Sequence, residues 1–200
     1  MNRKSGIMLA LLAAGQSRRF GDRDKLSAML GGKMLGLHAA QAAADLPFSQ
    51  KLVIASPDPD CAAGWRDLGY RVVANTDAIR GQATSVRLAA AHAIEAGASA
   101  LCIMLADMPF VTSGHLARLI ESFEQAGETN SVASARSGQA MPPAIFPSGA
   151  LDRLSELQGD AGARKLLADA LMVEGDDQFL IDIDTPADLA EANRIFRPVT

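Results

Sequence analysis

The stretch Leu12-Ala13-Ala14-Gly15-Gln16-Ser17-Arg18-Arg19-Phe20-Gly21-Asp22-Arg23-Asp24-Lys25 closes an apolar run that begins at Ile7. A buried strand that empties into a small, polar, cationic loop is how α/β proteins seat a phosphorylated ligand. The strand fixes the position of the loop. Gly15 and Gly21 let backbone N–H groups approach an anion with no Cβ in the way. Arg18, Arg19, Arg23 and Lys25 bring the charge that neutralises it. Two common phosphate loops are excluded. Five residues separate Gly15 from Gly21 and no Lys-Ser/Thr follows, which rules out a Walker A loop. Ser17 stands where a dinucleotide fingerprint needs its second glycine. Arg3 and Lys4 ahead of the apolar run, with Ala13-Ala14-Gly15 behind it, also resemble a cleavable leader. The arginines that come next argue against that reading.

Two hundred residues and 20.9 kDa suit one domain, 1–200, with a sizeable core. A net charge of −4 and a pI near 5.3 oppose general nucleic-acid binding. No apolar stretch reaches the roughly 20 residues of a membrane span, so no membrane partner is expected. Two cysteines without a CxxC spacing exclude a disulfide framework or a zinc site and fit a cytoplasmic protein. The charge is unevenly placed. Residues 16–33 carry five basic and two acidic side chains, whereas 174–193 carry seven acids and no Lys or Arg. The two segments are expected to meet around a metal–triphosphate complex.

Apolar runs alternate with Ala/Leu-rich helical patterns. Strands are predicted over 7–13, 52–55, 71–74, 100–105, 131–135, 144–146 and 180–183. Helices are predicted over 35–45, 61–68, 85–96, 113–126, 150–156, 163–171 and 186–196. That rhythm gives an α/β fold, an open and mainly parallel sheet covered by helices. Ligands of such sheets bind beyond the carboxyl ends of the strands. The loop at 12–25 and the turn at 106–109 both lie there, so one crevice is expected to hold both.

Three further constellations bear on that crevice. The apolar run 100–105 delivers Asp107 just past its end, where a carboxylate is placed to hold Mg²⁺. Thr112 or Ser113 serves to cap the following helix, so Asp107 is not needed there. In Leu180-Ile181-Asp182-Ile183-Asp184-Thr185-Pro186, alternation puts Asp182 and Asp184 on one face of a short strand. Asp184 or Thr185 then caps the helix that Pro186 opens. In Arg80-Gly81-Gln82-Ala83-Thr84-Ser85 a glycine turn enters a helix, with Thr84 or Ser85 as its N-cap, and presents backbone N–H groups to a ligand. The three histidines, His38, His92 and His115, are read as structural or surface residues.

With these residues assembled, the chain resembles the nucleotidyltransferases that make nucleoside-diphosphate-linked products. Leu12–Gly21 with Lys25 is similar to their signature loop. Asp107-Met108-Pro109 and Asp182-Ile183-Asp184-Thr185-Pro186 are similar to their metal-site segments, and Gly81 with Ser85 to their nucleotide-contacting turn. Pro143-Ala144-Ile145-Phe146 and Gly159-Asp160-Ala161-Gly162-Ala163-Arg164 resemble one branch, the molybdenum cofactor cytidylyltransferases and their guanylyltransferase relatives. Met34, where relatives often carry proline, and Ala140-Met141 ahead of Pro142-Pro143 depart from the pattern.

The resemblance implies a Rossmann-like three-layer fold with a mixed, mainly parallel sheet. It implies Mg²⁺ (or Mn²⁺) dependence and transfer of CMP from CTP to the phosphate of molybdopterin. Arg19, Lys25 and Asp107 would be catalytic. Ala13, Ala14, Gly15, Ser17, Gly81 and Ser85 would join them around the nucleotide. Pro143, Asp160 and Arg164 would meet the acceptor, and Asp107, Asp182 and Asp184 the metal. Ala14, where guanylyl members carry a second glycine, favours CTP over GTP. The rivals are a sugar-phosphate or methylerythritol-phosphate nucleotidyltransferase, and a carrier that delivers the finished cofactor to a molybdenum hydroxylase.

Overall fold

The computed structural model describes residues 6–15, 19–20, 24–159 and 162–195. The seven residues of β1 (Ile7–Ala13) are all buried, because the strand lies in the middle of a seven-stranded sheet. Its parallel neighbours are β4 (Gln50–Ala55) on one side and β6 (Ala100–Leu105) on the other. Beyond β4 lies β5 (Arg71–Ala74), again parallel. Beyond β6 lies β8 (Gln139–Pro147), antiparallel to both β6 and β7 (Val132–Arg136). The edge strand β9 (Leu171–Glu174) runs parallel to β7. A short antiparallel ribbon, β2 (Met29–Leu30) with β3 (Lys33–Met34), stands apart.

Side chains of β1 alternate between two cores, as strand geometry requires. Leu9 and Leu11 face α1 (Leu35–Ala42), α2 (Ala62–Asp67) and α4 (Ser113–Gln125), where Ala39, Trp65 and Phe123 complete the layer. Met8 and Ala10 face α3 (Gln82–Glu95) and α5 (Leu151–Ser155), with Val86, Ala90 and Leu154. A smaller cluster joins α6 (Pro186–Ile195) to the ribbon through Leu30, Leu35, Ile183 and Ala192. Burying each large side chain in these layers contributes about 2 kcal/mol. Both cysteines are buried and free, and burial pushes their thiols up to about 12, which leaves them inert. Among the described residues no helix is long and apolar enough to cross a membrane.

The chain leaves β1 toward β4 and β5, then crosses back to β6 on the opposite side of β1. That reversal opens a crevice past the ends of β1 and β6, the place where doubly wound sheets bind ligands.

Several predicted elements differ. The strand predicted over 144–146 runs over Gln139–Pro147, and the helix predicted over 35–45 ends at Ala42. Residues 180–183 form no strand; the Ile183 N–H instead makes an isolated bond to the Asp107 carbonyl at 2.9 Å. The helix predicted over 163–171 is a 3₁₀ segment, Gly162–Leu167, followed by strand β9. Helix α3 begins at Gln82 with Gly81 as its N-cap, so Thr84 and Ser85 lie within the first turn.

Candidate active site

Lys25 opens a 3₁₀ turn, Lys25–Ser27, whose N-cap is Asp24; the Asp24 carboxylate accepts from the Leu26 N–H at 3.1 Å. Leu26 is held beneath by α1 and α2. A Cβ on Gly36 would come within 3.1 Å of Leu26 and 3.2 Å of both Cys61 and Trp65, so a larger residue there would press these three side chains apart by a few tenths of an ångström. The Lys25 side chain is only 9% exposed and reaches across the crevice. Its Nζ donates to Asp107 Oδ2 at 2.8 Å and to Asp184 Oδ1 at 3.0 Å. Arg19, on the exposed rim, donates to the other oxygen of Asp184 at 3.0 Å. The basic loop and the acidic C-terminal segment therefore do meet.

Asp107 is placed by two backbone bonds. Ala106 N–H donates to Leu12 O at 3.0 Å and extends the β1–β6 ladder by one rung. The Ile183 N–H donates to the Asp107 carbonyl and brings residues 182–184 alongside. Thr112 caps α4, accepting from the His115 N–H at 3.1 Å, so Asp107 has no capping duty. Thr185 accepts from the Asp188 N–H at 3.1 Å while Asp188 accepts from Thr185 N–H at 2.8 Å. That reciprocal box closes the start of α6 and leaves the Asp184 carboxylate to the crevice. Asp182 is exposed beside it.

Burial raises the Asp107 carboxyl, the facing Lys25 ammonium pulls it down, and Asp182 adds to the rise; the balance is upward. Burial alone would depress Lys25, but Asp107 and Asp184 outweigh it and hold the ammonium above its ordinary value. One atom is left over. Asp107 Oδ1 is buried and has no hydrogen-bond partner among the described residues. A buried carboxylate oxygen without a partner is costly unless a cation or donor meets it.

Among the described residues no three His, Cys, Asp or Glu side chains form a ready cage for a metal ion. Mg²⁺ does not require one. It binds through one or two carboxylates and fills its remaining positions with water and substrate phosphates. Asp107, with its uncommitted Oδ1, and Asp184 are hard oxygen donors on one wall, so the donor set fits such an ion.

The cleft has a volume of about 490 Å³. Ala13, Ala14 and Gly15, at the end of β1, line it together with Gly81 and Ser85 from the start of α3. A Cβ built on Gly15 meets nothing within 4 Å. Gly81 has φ 108°, which a side chain would strain. It starts α3 with no side-chain cap, so the positive end of a 14-residue helix borders the cleft. Ala83 N–H donates to Gly159 O at 3.3 Å, which brings the segment after α5 beside this turn.

Ser17 and Asp160 lie outside the described residues. Arg164 falls in the 3₁₀ segment Gly162–Leu167, beside α3; its side chain is likewise outside the description. Pro143 is buried in β8, its carbonyl accepting from Ser134 Oγ at 2.8 Å, rather than lining the cleft. The cleft also uses residues that the sequence reading passed over, Ile79 and Gln82. Ile79 is 76% exposed at its rim. An isoleucine set between Asp77 and Arg80 was the available signal, since a solvated turn has no use for it.

A family model described as MobA-like NTP transferase domain matches residues 9–177. The chain is 32% identical over 190 residues to the purine catabolism protein PucB of Bacillus subtilis, covering 88% of this chain and 90% of PucB. Its structure resembles that of Rv0371c from Mycobacterium tuberculosis in complex with manganese, with a TM-score of 0.73 at 24% identity, over 95% of this chain and 99% of that one. It also resembles molybdopterin-guanine dinucleotide biosynthesis protein A from Archaeoglobus fulgidus, with a TM-score of 0.68 at 21% identity, over 94% and 97%. At these identities the two structures speak to the fold.

Proposed function

Because the chain belongs to the MobA-like NTP transferase family, we propose that it transfers CMP from CTP to the terminal phosphate of molybdopterin and releases pyrophosphate. The observation that carries this reading is the meeting of Lys25, Asp107 and Asp184 at the β1–β6 crevice. One cation and two carboxylates from three distant segments converge where the fold binds ligands. The molybdopterin named for the Archaeoglobus relative supports the acceptor class. Ala14 in the loop supports CTP. The guanine in that same relative's name favours GTP as the second reading.

The chemistry asks little covalent work of the protein. A phosphate oxygen of the acceptor attacks the α-phosphorus, a new P–O bond forms, and the bond to the β-phosphate breaks. The nucleophile is already ionised, so no strong base is required. Positioning and charge neutralisation remain. Lys25 exchanges its carboxylate partners for triphosphate oxygens and offsets the charge that grows on pyrophosphate. Arg19 does the same at the rim. Backbone N–H groups of Ala14 and Gly15, and the start of α3 at Gly81, orient the nucleotide. Asp107 and Asp184, with Asp182 alongside, would hold Mg²⁺ (or Mn²⁺), which supplies neutralisation of the phosphate oxygens; the manganese in the Rv0371c complex supports a divalent ion. Asp160 and Arg164 are assigned to the acceptor in this reading, on the family resemblance of their segment.

Pyrophosphate release with Mg²⁺ and molybdenum-loaded molybdopterin, comparing CTP with GTP, tests it. Release with CTP that Asp107→Ala abolishes is the expected result. Release with GTP alone moves the chain to the guanylyl branch. Release with neither refutes the acceptor. Delivery to a molybdenum hydroxylase is tested separately by co-purification.

A further inference from the structure

We propose that Asn193, at the end of α6 remote from the cleft, is a positioning residue that clasps α6 to the β2–β3 ribbon and so sets Asp184 against Lys25. It rests on the nucleotidyl-transfer reading above, which gives those two charges their roles.

Both charged segments run straight into this joint. The turn Lys25–Ser27 leads into β2 at Met29, and Ala28 O accepts from the Leu35 N–H at 2.8 Å, which closes the base of the ribbon. On the other side, the Asp184 N–H donates to Asp188 Oδ2 at 3.1 Å, within the first turn of α6. The Asp184 backbone is thereby fastened to the helix and moves with it. A helix of ten residues is a rod of about 15 Å. Where its far end is held decides the direction from which its near end presents Asp184.

Asn193 holds that end. Its Oδ1 accepts from the Gly31 N–H at 3.0 Å, and its Nδ2 donates to Met29 O and to Leu189 O, each at 3.1 Å. One amide thus meets a donor and an acceptor of the ribbon while staying bonded to its own helix. A carboxylate only accepts, so it cannot make all three bonds. Asparagine is also a poor helix former, and an exposed helical position has no other use for it. Beneath the clasp lies the small apolar cluster, to which Leu30, Ile183 and the partly buried Phe20 and Phe110 belong. Phe20 follows Arg19, Phe110 comes three residues after Asp107, and Ile183 precedes Asp184. Apolar contact draws these segments together but has no direction. The directional bonds of Asn193 fix how α6 lies on them.

Asn193→Ala tests this in the full chain. Alanine is the better helix former, so α6 itself is not weakened. Amide hydrogen exchange is followed residue by residue, beside melting temperature and pyrophosphate release. The Ile183 N–H, which donates to the Asp107 carbonyl, reports the register of the acidic segment. Exchange at Gly31 and Ile183 should quicken about tenfold, with the amides of β1 and β6 unchanged. Turnover at saturating nucleotide should fall about fivefold, since the charges are misplaced rather than removed, with KM nearly unchanged. Added to Lys25→Ala, the substitution should lower turnover less than it does alone, because it acts partly through that lysine. A merely structural role would lower the melting temperature and leave the turnover of folded molecules as in wild type. If Asn193→Ala melts early, Asn193→Asp, which keeps the acceptor for Gly31 and loses the donor to Met29, carries the same measurements. Unchanged exchange at Ile183 overturns the proposal whatever the turnover, and wild-type turnover despite faster exchange overturns the positioning role. A wild-type chain that releases no pyrophosphate overturns the underlying reading instead, and the exchange comparison still decides the clasp.

Discussion

Two hollows flank β6 and its neighbours, and they differ in how their polar groups are satisfied. The crevice of about 490 Å³ beyond β1 and β6 holds a cation shared by two carboxylates and a carboxylate oxygen with no partner among the described residues. The hollow of about 370 Å³ between α4 and residues 175–180 holds a histidine whose ring is fully used. There, Ser134 Oγ gives its proton to Pro143 O at 2.8 Å, so it must accept from His115 Nε2 at 2.8 Å. Arg118 can only donate, and it meets His115 Nδ1 at 3.0 Å. The ring is thus neutral, with its proton on Nε2. Size does not separate a site from a gap. Groups that still lack a partner do, and they are what a substrate completes.

The sharpest way to break this contrast is to remove one charge from the crevice. Lys25→Ala should lower turnover about 10²-fold or more, because Lys25 acts where charge develops. Pyrophosphate release at saturating nucleotide measures it, and wild-type turnover would remove Lys25 from the mechanism. In the second hollow the same truncation should act on folding instead. His115→Ala takes away the donor that the buried Ser134 oxygen accepts from, costing about 1–3 kcal/mol of stability, with turnover of the folded enzyme nearly unchanged. Denaturant unfolding beside the transfer assay separates the two effects. A turnover loss to match Lys25→Ala would make the two hollows one functional unit.

Acid supplies a gentler comparison. Burial lowers His115, helped by Arg118; burial also lowers His38, with Lys33 adding to it. Both rings stay neutral in the fold, while in the unfolded chain they take up a proton near 6.5. The unfolded state then binds more protons, so stability holds above about pH 6.5 and falls as the pH drops toward the lower folded values. Melting temperatures from pH 8 to 5 should show wild type losing more than His115→Gln below that point. Parallel curves would show that His115 contributes nothing to acid sensitivity. The smallest effect is expected at the rim. Arg19→Ala removes a pair whose guanidinium side chain is 74% exposed, so stability should change by less than about 0.5 kcal/mol. Its effect should show as a severalfold rise in KM for the nucleotide; an unaltered KM would take Arg19 out of the site.

Legibility followed the kind of constraint each segment obeys. β1 and β6 were readable to the residue because a strand buried on both faces must be an unbroken apolar run. Residues 180–183 misled because Ile-Asp-Ile-Asp alternates like a strand, yet among the described residues no strand pairs with it, and Leu180 and Ile183 are the two residues drawn inside. The Ala163–Leu171 stretch read as one helix because its apolar residues are dense. In the fold Ala163 and Leu167 enter the core while Leu171, 46% exposed, begins an edge strand. The start of α3 was placed late because hydroxyl residues usually cap helices, whereas here Gly81 does so and Thr84 and Ser85 serve Asn75.

What the sequence by itself determined was local: a buried strand ending in a basic loop, a carboxylate delivered by another strand, an acidic segment near the C-terminus, and the α/β rhythm joining them. These follow from periodicity, backbone chemistry and charge, which act over a few residues. What only the tertiary structure decided was pairing. Lys25 holds Asp107 and Asp184 rather than Asp182; Asp107 keeps one oxygen unmet; Asn75 commits one side of Ser85. A hydrogen bond or an ion pair depends on a few tenths of an ångström between groups far apart in the chain. That distance exists only once the sheet has set its strand order and register.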